Sequence, residues 1–221
     1  MPGSRPSARE SVVLVHGLWM RGHEFAPMRG RLARQHGYDV RVFSYPTLRG
    51  DADTVTDDLQ RMADALAGDG PVHFVGHSLG GVFVHRLLAR EPGRYGGNAV
   101  VLGSPLAGCR AAAGVSRFRL LRPVIGPHLL AEVVAPPQRR WSGPGAFGSI
   151  AGIRHAGAGQ LFVRFDEQHD GTVAVRETKI PGLDDHLEMA HGHMGLLFAT
   201  DVADQVAHFL RHARFERPGT R

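Results

Sequence analysis

The chain has 221 residues, of which 43% are hydrophobic and 21% charged, and this composition predicts a single globular domain spanning residues 1–221 rather than a disordered chain or a repeat array. No apolar stretch approaches the roughly 18 residues that a membrane-spanning helix needs, so we expect no stable membrane insertion. The net charge of +5 lies entirely within residues 104–146, which hold six arginines and one acid, and no interleaved aromatics or binding module there indicate a nucleic-acid partner.

The first hundred residues alternate between short apolar runs and segments with helical spacing. Val12–Val15 is a continuous apolar run that ends at His16-Gly17, which is typical of a buried strand opening into a loop. The alternation continues with a helix on Phe25, Met28 and Leu32 that ends at Gly37, a strand at 38–43, a helix from Val55 to Leu66 closed by Gly68, a strand at 72–75, a helix through Leu88 and a strand at 98–102. This order predicts right-handed βαβ crossovers, so we expect an α/β fold with a mainly parallel sheet covered on both faces.

The alternation fails between Ser104 and Gly148, where six prolines interrupt every apolar run. We expect residues 104–148 to form a cap or insertion within the domain. Regular patterning resumes at 150–153 and 161–165. An amphipathic helix on Val202, Val206, Phe209 and Leu210 follows, and residues 211–221 are expected to be a frayed basic tail.

The segment Gly76-His77-Ser78-Leu79-Gly80 is a Gly-x-Ser-x-Gly motif between a predicted strand and a predicted helix. A serine on such a sharp turn tolerates almost no side chain two positions to either side, which the two glycines satisfy. The turn would expose the Ser78 hydroxyl as a nucleophile. It would also place the Leu79 N–H at a helix N-terminus, where it can bind an oxyanion.

A second oxyanion donor is expected from the loop after the first strand. The sequence there is His16-Gly17-Leu18-Trp19, and we predict that the Leu18 N–H is the donor. His16 is interpreted as a structural residue that steadies this loop through its ring, and not as a base.

These motifs resemble the bacterial lipase and esterase branch of the α/β-hydrolase superfamily. The resemblance covers most of residues 11–213. It depends on His16-Gly17-Leu18, on Gly76-His77-Ser78-Leu79-Gly80-Gly81, on Gly103-Ser104-Pro105-Leu106-Ala107-Gly108 and on Asp170-Gly171-Thr172-Val173. It implies an α/β-hydrolase fold similar to the smallest members of the family, which lack the first two strands and keep about six.

The acid of the implied triad has several candidates, because Asp166, Asp170, Asp184 and Asp185 all follow the insertion. Spacing alone does not choose among them. The resemblance to the family's Asn-Asp-Gly-x-Val loop favours Asp170, with Asp166 in reserve. His169 departs from the family's pattern in place of the asparagine, which leaves the support of the acid undefined.

The base has two candidates, His191 and His193, just before the last predicted helix. The family places its base directly before that helix, often as His-Thr-Gly-hydrophobic. His193-Met194-Gly195-Leu196 matches this pattern except at Met194, so the resemblance favours His193.

The implied reaction is hydrolysis of a small-molecule carboxylic ester through an acyl-enzyme, with Ser78, His193 and Asp170 as the triad and no cofactor. The same residues could serve a thioesterase or an acyltransferase, and a non-catalytic binding protein on this fold is a further alternative. The arginines of residues 104–148 suggest anionic substrates or lipid surfaces. Cys109 is the only cysteine, so no internal disulfide can form, and this favours a reducing, cytoplasmic location.

Overall fold

The computed structural model describes residues 10–49, 51–68, 70–116, 126, 132–134, 136–155 and 165–217. The strands within these residues are β1 (Ser11–Val15), β2 (Asp39–Phe43), β3 (Val72–His77), β4 (Gly96–Leu102), β5 (Phe147–Gly152) and β6 (Asp185–Met189). The α-helices are α1 (Ala26–His36), α2 (Ala52–Leu66), α3 (Leu79–Arg90), α4 (Arg110–Ser116), α5 (Gly195–Phe198) and α6 (Thr200–His212). Short 3-10 helices cover His23–Phe25 and Val175–Thr178.

The six strands form one sheet in the order β2-β1-β3-β4-β5-β6, and every neighbouring pair is parallel. Side chains of β1 alternate between two apolar cores because successive residues of a strand point to opposite faces. Val13 packs into the core that contains Leu59 of α2, and Leu14 packs into the core that contains Leu32 of α1. Helices therefore cover both faces of the sheet, as the sequence predicts.

The strand order reverses direction between β1 and β3, because the chain first moves outward to β2 and then returns to the other side of β1. A crevice forms outside the carboxyl ends of the strands at such a switch point. Val15 lies opposite Gly76 in the register, so the loop after β1 begins beside the turn that carries Ser78. The fold itself thus brings the two predicted oxyanion segments together.

The predicted strands and helices of the first hundred residues are confirmed, with shifts of a few residues at their ends. Helix α1 ends at Gly37, which has a left-handed φ of 79° that favours glycine. Helix α4 and strand β6 are among the elements that were not predicted. Helix α4 lies inside the proline-rich stretch, and β6 is an edge strand whose partly buried sequence Asp-His-Leu-Glu-Met lacks a strong apolar pattern.

The prediction of a frayed tail from residue 211 is wrong for its first residues. Helix α6 continues to His212, and the Arg211 guanidinium donates to the carbonyl oxygen of His36 at the end of α1. Phe215 is buried against Phe209, and its N–H donates to Asp185 at 2.8 Å. Apolar packing thus holds residues 213–217 against the sheet, whereas 218–221 lie outside the described residues.

The proline-rich stretch is described only in part, since residues 117–125, 127–131 and 135 lie outside the described ranges, as does most of the patterned segment 161–165. Strand β5 begins at Phe147, so the last two residues of 104–148 belong to the sheet. The buried Arg139 donates to the carbonyl oxygen of Leu106 and to the carboxylate of Glu132. That 104–148 acts as a cap remains a prediction.

Candidate active site

Ser78 lies on the turn between β3 and α3 with a φ of 52° and a ψ of −123°. A non-glycine residue at positive φ is strained, and such strain is often found at functional sites. The turn is held by two backbone hydrogen bonds, from the Ser78 N–H to the Leu102 carbonyl at 2.9 Å and from the Gly81 N–H to the Ser78 carbonyl at 3.1 Å. The predicted strand, sharp turn and helix around Ser78 are therefore present.

The glycines of the motif are needed for close packing of the backbone. A Cβ atom on Gly76 would overlap the backbone of Gly81, and one on Gly80 would overlap the carbonyl oxygen of Val15 at the end of β1. The steric expectation for both glycines is confirmed. Their small size lets α3 begin directly against the end of β1.

The loop after β1, residues 16–22, passes beside Ser78. A Cβ atom on Gly17 would lie 2.9 Å from the Cβ of Ser78. Leu18 is the residue that follows Gly17 in the chain. Within the described ranges, the backbone N–H groups of Leu18 and Leu79 have no hydrogen-bond acceptor. Both predicted donors are therefore available to a ligand in this part of the chain.

His16 has the structural surroundings that the sequence predicts. Its ring is fully buried and stacks on Tyr45 with centroids 4.5 Å apart. The Tyr45 N–H donates to Nε2 of His16, so the proton is on Nδ1, which donates to the Gly17 carbonyl at 2.9 Å. Burial lowers the pKa of His16, and this neutral ring ties the loop to the end of β2.

The structure brings His193 and Asp170 together. Nδ1 of His193 donates to Oδ2 of Asp170 at 2.6 Å, and the His193 N–H donates to the Asp170 carbonyl oxygen at 2.9 Å. A carboxylate accepts only, so the proton lies on Nδ1 and leaves Nε2 free to take a proton from a nucleophile. This is the tautomer that a serine hydrolase requires.

The Asp170 carboxylate is buried, and both of its oxygens accept hydrogen bonds. Its other oxygen, Oδ1, accepts from the N–H groups of Thr172 at 2.9 Å and Val173 at 2.7 Å. Burial alone would raise the pKa of Asp170, but the charge of a protonated His193, its hydrogen bond and the backbone donors outweigh burial and lower that pKa. Asp170 is therefore ionised at neutral pH.

The other candidates have partners elsewhere. His191 donates to Asp201 at the start of α6, at 2.9 Å. Asp166 is 81% exposed and pairs with Arg110. Asp184 accepts from the Phe147 N–H, and Asp185 pairs with Arg217. Among these candidates, Asp170 and His193 are the acid and the base that contact each other within the described residues.

His77 is a site residue that the sequence did not reveal. Its ring is fully buried, and Nε2 donates to the carbonyl oxygen of His193 at 3.0 Å. The rings of His77 and His193 lie 4.7 Å apart, so the base packs against the direct neighbour of Ser78. Burial lowers the pKa of His77 to about 3, with a smaller effect from His193, so His77 is neutral at physiological pH.

Two further residues support the acid. His169, which departs from the family's asparagine, accepts the Gly171 N–H on Nδ1 at 3.0 Å and so stabilises the turn after Asp170. Glu177 is buried and accepts from the Ala174 N–H and from the backbone and side chain of Arg110. Because Arg110 begins α4, Glu177 joins the acid loop to the stretch after β4.

Comparison with protein families matches residues 12–218 to the alpha/beta hydrolase family. The chain belongs to this family. No curated protein matches its sequence.

Several solved structures share the fold of this alpha/beta hydrolase. The mature lipase BlEst2 of Bacillus licheniformis has a TM-score of 0.72 at 15% identity, over 95% of this chain and 94% of the lipase. The metagenomic carboxyl esterase MGS0156 has a TM-score of 0.68 at 20% identity, over 86% and 66% of the two chains. The monoacylglycerol lipase of Paleococcus ferrophilus has a TM-score of 0.63 at 14% identity, over 94% and 96%. At these identities the likeness concerns the fold.

An open groove of about 600 Å³ lies between the loops after β1 and β2 in this alpha/beta hydrolase. One side is formed by residues 19–21 of the loop after β1, and the other by residues 44–49 after β2. Trp19 has a positive φ of 61°, and its N–H donates to the Thr47 hydroxyl at 3.2 Å, which joins the two sides. One wall of the groove thus belongs to the same loop as Gly17, which lies against Ser78.

Neither a metal cluster nor a membrane span is present in the part of the chain that the structure describes. No group of three or more histidine, cysteine, aspartate or glutamate residues there could hold a metal ion. No helix there is long and apolar enough to cross a bilayer.

Proposed function

We propose that this alpha/beta hydrolase is a serine esterase that cleaves carboxylic esters of small molecules through an acyl-enzyme. The observation that carries the proposal is the contact between His193 and Asp170, which leaves Nε2 of a histidine packed against the neighbour of Ser78 as the proton acceptor. The strained turn at Ser78 and the available N–H groups of Leu18 and Leu79 support the same reaction.

In the proposed reaction the Ser78 oxygen attacks the ester carbonyl carbon and its proton passes to Nε2 of His193. The oxyanion accepts hydrogen bonds from the Leu18 and Leu79 N–H groups. His193 then protonates the leaving alcohol, and water repeats the sequence to release the acid and free Ser78. Asp170 keeps His193 in the required tautomer and stabilises the imidazolium.

A fluorophosphonate probe and a nitrophenyl ester series test the proposal together. We expect the probe to label Ser78 in the folded protein and not the S78A variant, and we expect ester turnover to fall to background in S78A. Lack of labelling in folded protein would contradict the proposal.

The acid is tested by a matched pair of aspartate variants. D170N is expected to lower kcat by about three to four orders of magnitude, because the amide favours the wrong tautomer of His193. D166N should leave kcat within about twofold, since its side chain is exposed and pairs with Arg110. Equal effects of the two substitutions on kcat would contradict the assignment of Asp170 as the acid of the triad.

We also propose a reducing, cytoplasmic location, which the single cysteine supports. Burial raises the pKa of the Cys109 thiol to about 12, so the thiol stays protonated and unreactive. Cell fractionation followed by detection of the protein tests the location, and recovery from an exported fraction would contradict it.

A further inference from the structure

The groove between the loops after β1 and β2 has both apolar and cationic walls. Trp19 is 61% exposed and Leu48 is 44% exposed, and they belong to the small group of large hydrophobic side chains that are exposed in the described residues. Arg21 and Arg49 line the same groove and are exposed. A ligand in this groove would meet an aromatic and an aliphatic surface together with two guanidinium groups.

The guanidinium groups of these two arginines form no ion pair in the described residues, although those of most other arginines near α2, α3 and α4 do. The acidic side chains nearest to them in the chain accept hydrogen bonds from other groups. Glu24 accepts from the backbone N–H groups of Arg21 and Gly22, and Asp51 caps α2 by accepting from Thr54. Neither carboxylate forms an ion pair with the Arg21 or Arg49 guanidinium, so both guanidinium groups can bind an anion.

The arginines of residues 104–148, where the sequence concentrates the net charge, are arranged differently. Arg110 pairs with Glu177, Asp166 and Glu167, and Arg139 pairs with Glu132. Arg117, Arg119 and Arg122 lie outside the described residues. The free cationic groups that line the described groove thus come from the loops after β1 and β2.

We propose that the groove selects esters that carry a carboxylate, with Arg21 and Arg49 binding the anion and Trp19 and Leu48 packing against the carbon chain. This inference rests on the proposed esterase function and names its substrate class. The ligand is a single soluble ester molecule. Its anion belongs to the acyl or the alcohol half, whichever half enters the groove. Trp19 in the groove wall is two positions along the chain from Gly17, which lies against Ser78. Unpaired guanidinium groups are strong and planar partners for carboxylates.

The experiment compares kcat/KM for two matched pairs of esters. The acyl pair is the 4-nitrophenyl monoester of glutarate and 4-nitrophenyl pentanoate, which have the same chain length and differ by a terminal carboxylate. The alcohol pair is the butyrate ester of 3-hydroxybenzoate and that of 3-methylphenol. We expect the anionic member of one pair to be preferred, and the preference to shrink as salt rises from about 0.01 M to about 1 M, because the Debye length falls from about 30 Å to about 3 Å.

Variants identify the groups responsible. R21Q and R49Q should each lower the ratio of kcat/KM for the anionic ester to kcat/KM for the neutral ester about fivefold, as expected for one charge pair in a solvent-exposed site. R214Q is the matched control. Arg214 precedes Phe215, whose N–H donates to Asp185 at the amino end of β6, whereas Ser78 follows the carboxyl end of β3, so Arg214 lies near the opposite end of the parallel strands. Removing this charge should change neither ester.

Three outcomes would overturn the proposal. Equal rates within both pairs that do not change in R21Q and R49Q would show that the groove does not select the anion. An anion preference that R214Q reduces as much as R21Q would assign it to the overall charge. Salt-sensitive binding to anionic phosphatidylglycerol vesicles without any preference between the soluble esters would assign the arginines to a lipid surface. Failure of the esterase function itself is separate: no ester of either kind is then hydrolysed and the fluorophosphonate leaves Ser78 unlabelled.

Discussion

At the scale of single residues, the site depends on how the proposed base is held. The His193 backbone is fixed from two sides, by the Asp170 carbonyl oxygen that accepts its N–H and by the His77 ring that donates to its own carbonyl oxygen. Gly103 leaves the room that this arrangement needs, because a Cβ there would lie 2.8 Å from Oδ2 of Asp170 and 3.1 Å from Nδ1 of His193. His77 therefore positions His193 without taking part in proton transfer.

Two substitutions of His77 distinguish the effect of its hydrogen bond from the effect of its side-chain volume. H77L removes the donor, and we expect kcat for a nitrophenyl ester to fall about ten- to a hundredfold with little change in KM, because a small displacement of the base slows chemistry more than binding. H77Q keeps an N–H donor near the same place and should restore most of the loss. Equal kcat in both variants, with unchanged thermal melting, would show that the hydrogen bond to His193 is unimportant.

Sequence reasoning predicts those site residues whose role depends on local structure. The turn at Ser78 and the need for its glycines depend on steric demands within five residues, and the predicted turn is present, whereas the role of Ser78 as nucleophile stays a prediction. His193 and Asp170 lie 23 positions apart and meet only because the loops after β5 and β6 converge, so spacing alone left four acids and two bases open. His77 was passed over because its partner, the His193 carbonyl oxygen, is 116 positions away.

At the scale of secondary structure, the site is built where the carboxyl ends of adjacent strands meet. Gly17 follows β1, Ser78 follows β3 and Gly103 follows β4, and a Cβ on Gly152 at the end of β5 would lie 2.8 Å from the Cβ of Asp170. The βαβ rhythm predicts β1 to β4 because buried parallel strands are continuously apolar. Strand β6 escapes prediction because it is an edge strand, and edge strands have partly exposed polar residues.

The close approach of α3 to β1 predicts different effects for two glycine substitutions. G80A is expected to lower the free energy of unfolding by about 2–4 kcal/mol, because the new methyl group overlaps the rigid backbone of Val15. G68A is the control, since no atom lies within 4 Å of a Cβ at Gly68, and its stability should stay within about 0.5 kcal/mol of the parent. Urea unfolding of both variants measures this, and equal stabilities would contradict the packing described for Gly80.

At the scale of the whole molecule, buried histidines make stability depend on pH. Burial lowers the pKa of His77 to about 3 and that of His186 to about 4, and it also lowers the pKa of His16, His73, His85 and His169. In the unfolded chain these rings take up protons near pH 6.5, whereas the folded protein keeps them neutral. The stability that they contribute is complete above about pH 6.5 and is lost as pH falls toward their folded pKa values.

We therefore expect the urea midpoint to be nearly constant from pH 8 to pH 7 and to fall steeply between pH 6.5 and pH 5. The slope at pH 5.5 should correspond to more than one proton taken up on unfolding. H186Q should reduce this slope by up to about one proton, whereas H23Q, at an exposed position, should leave it unchanged. A midpoint that does not move between pH 7 and pH 5 would contradict this account.

The groups proposed for catalysis come from opposite ends of the polypeptide. The nucleophile and both oxyanion donors are provided by residues 17–79, whereas the acid and the base come from residues 170–193. A ribosome that has made the first three strands and the turn at Ser78 thus carries a nascent chain with no means of activating its hydroxyl. On the proposed mechanism, we expect hydrolytic activity to arise late in synthesis, when the closing strands dock, and we expect a protein truncated anywhere before residue 193 to lack it.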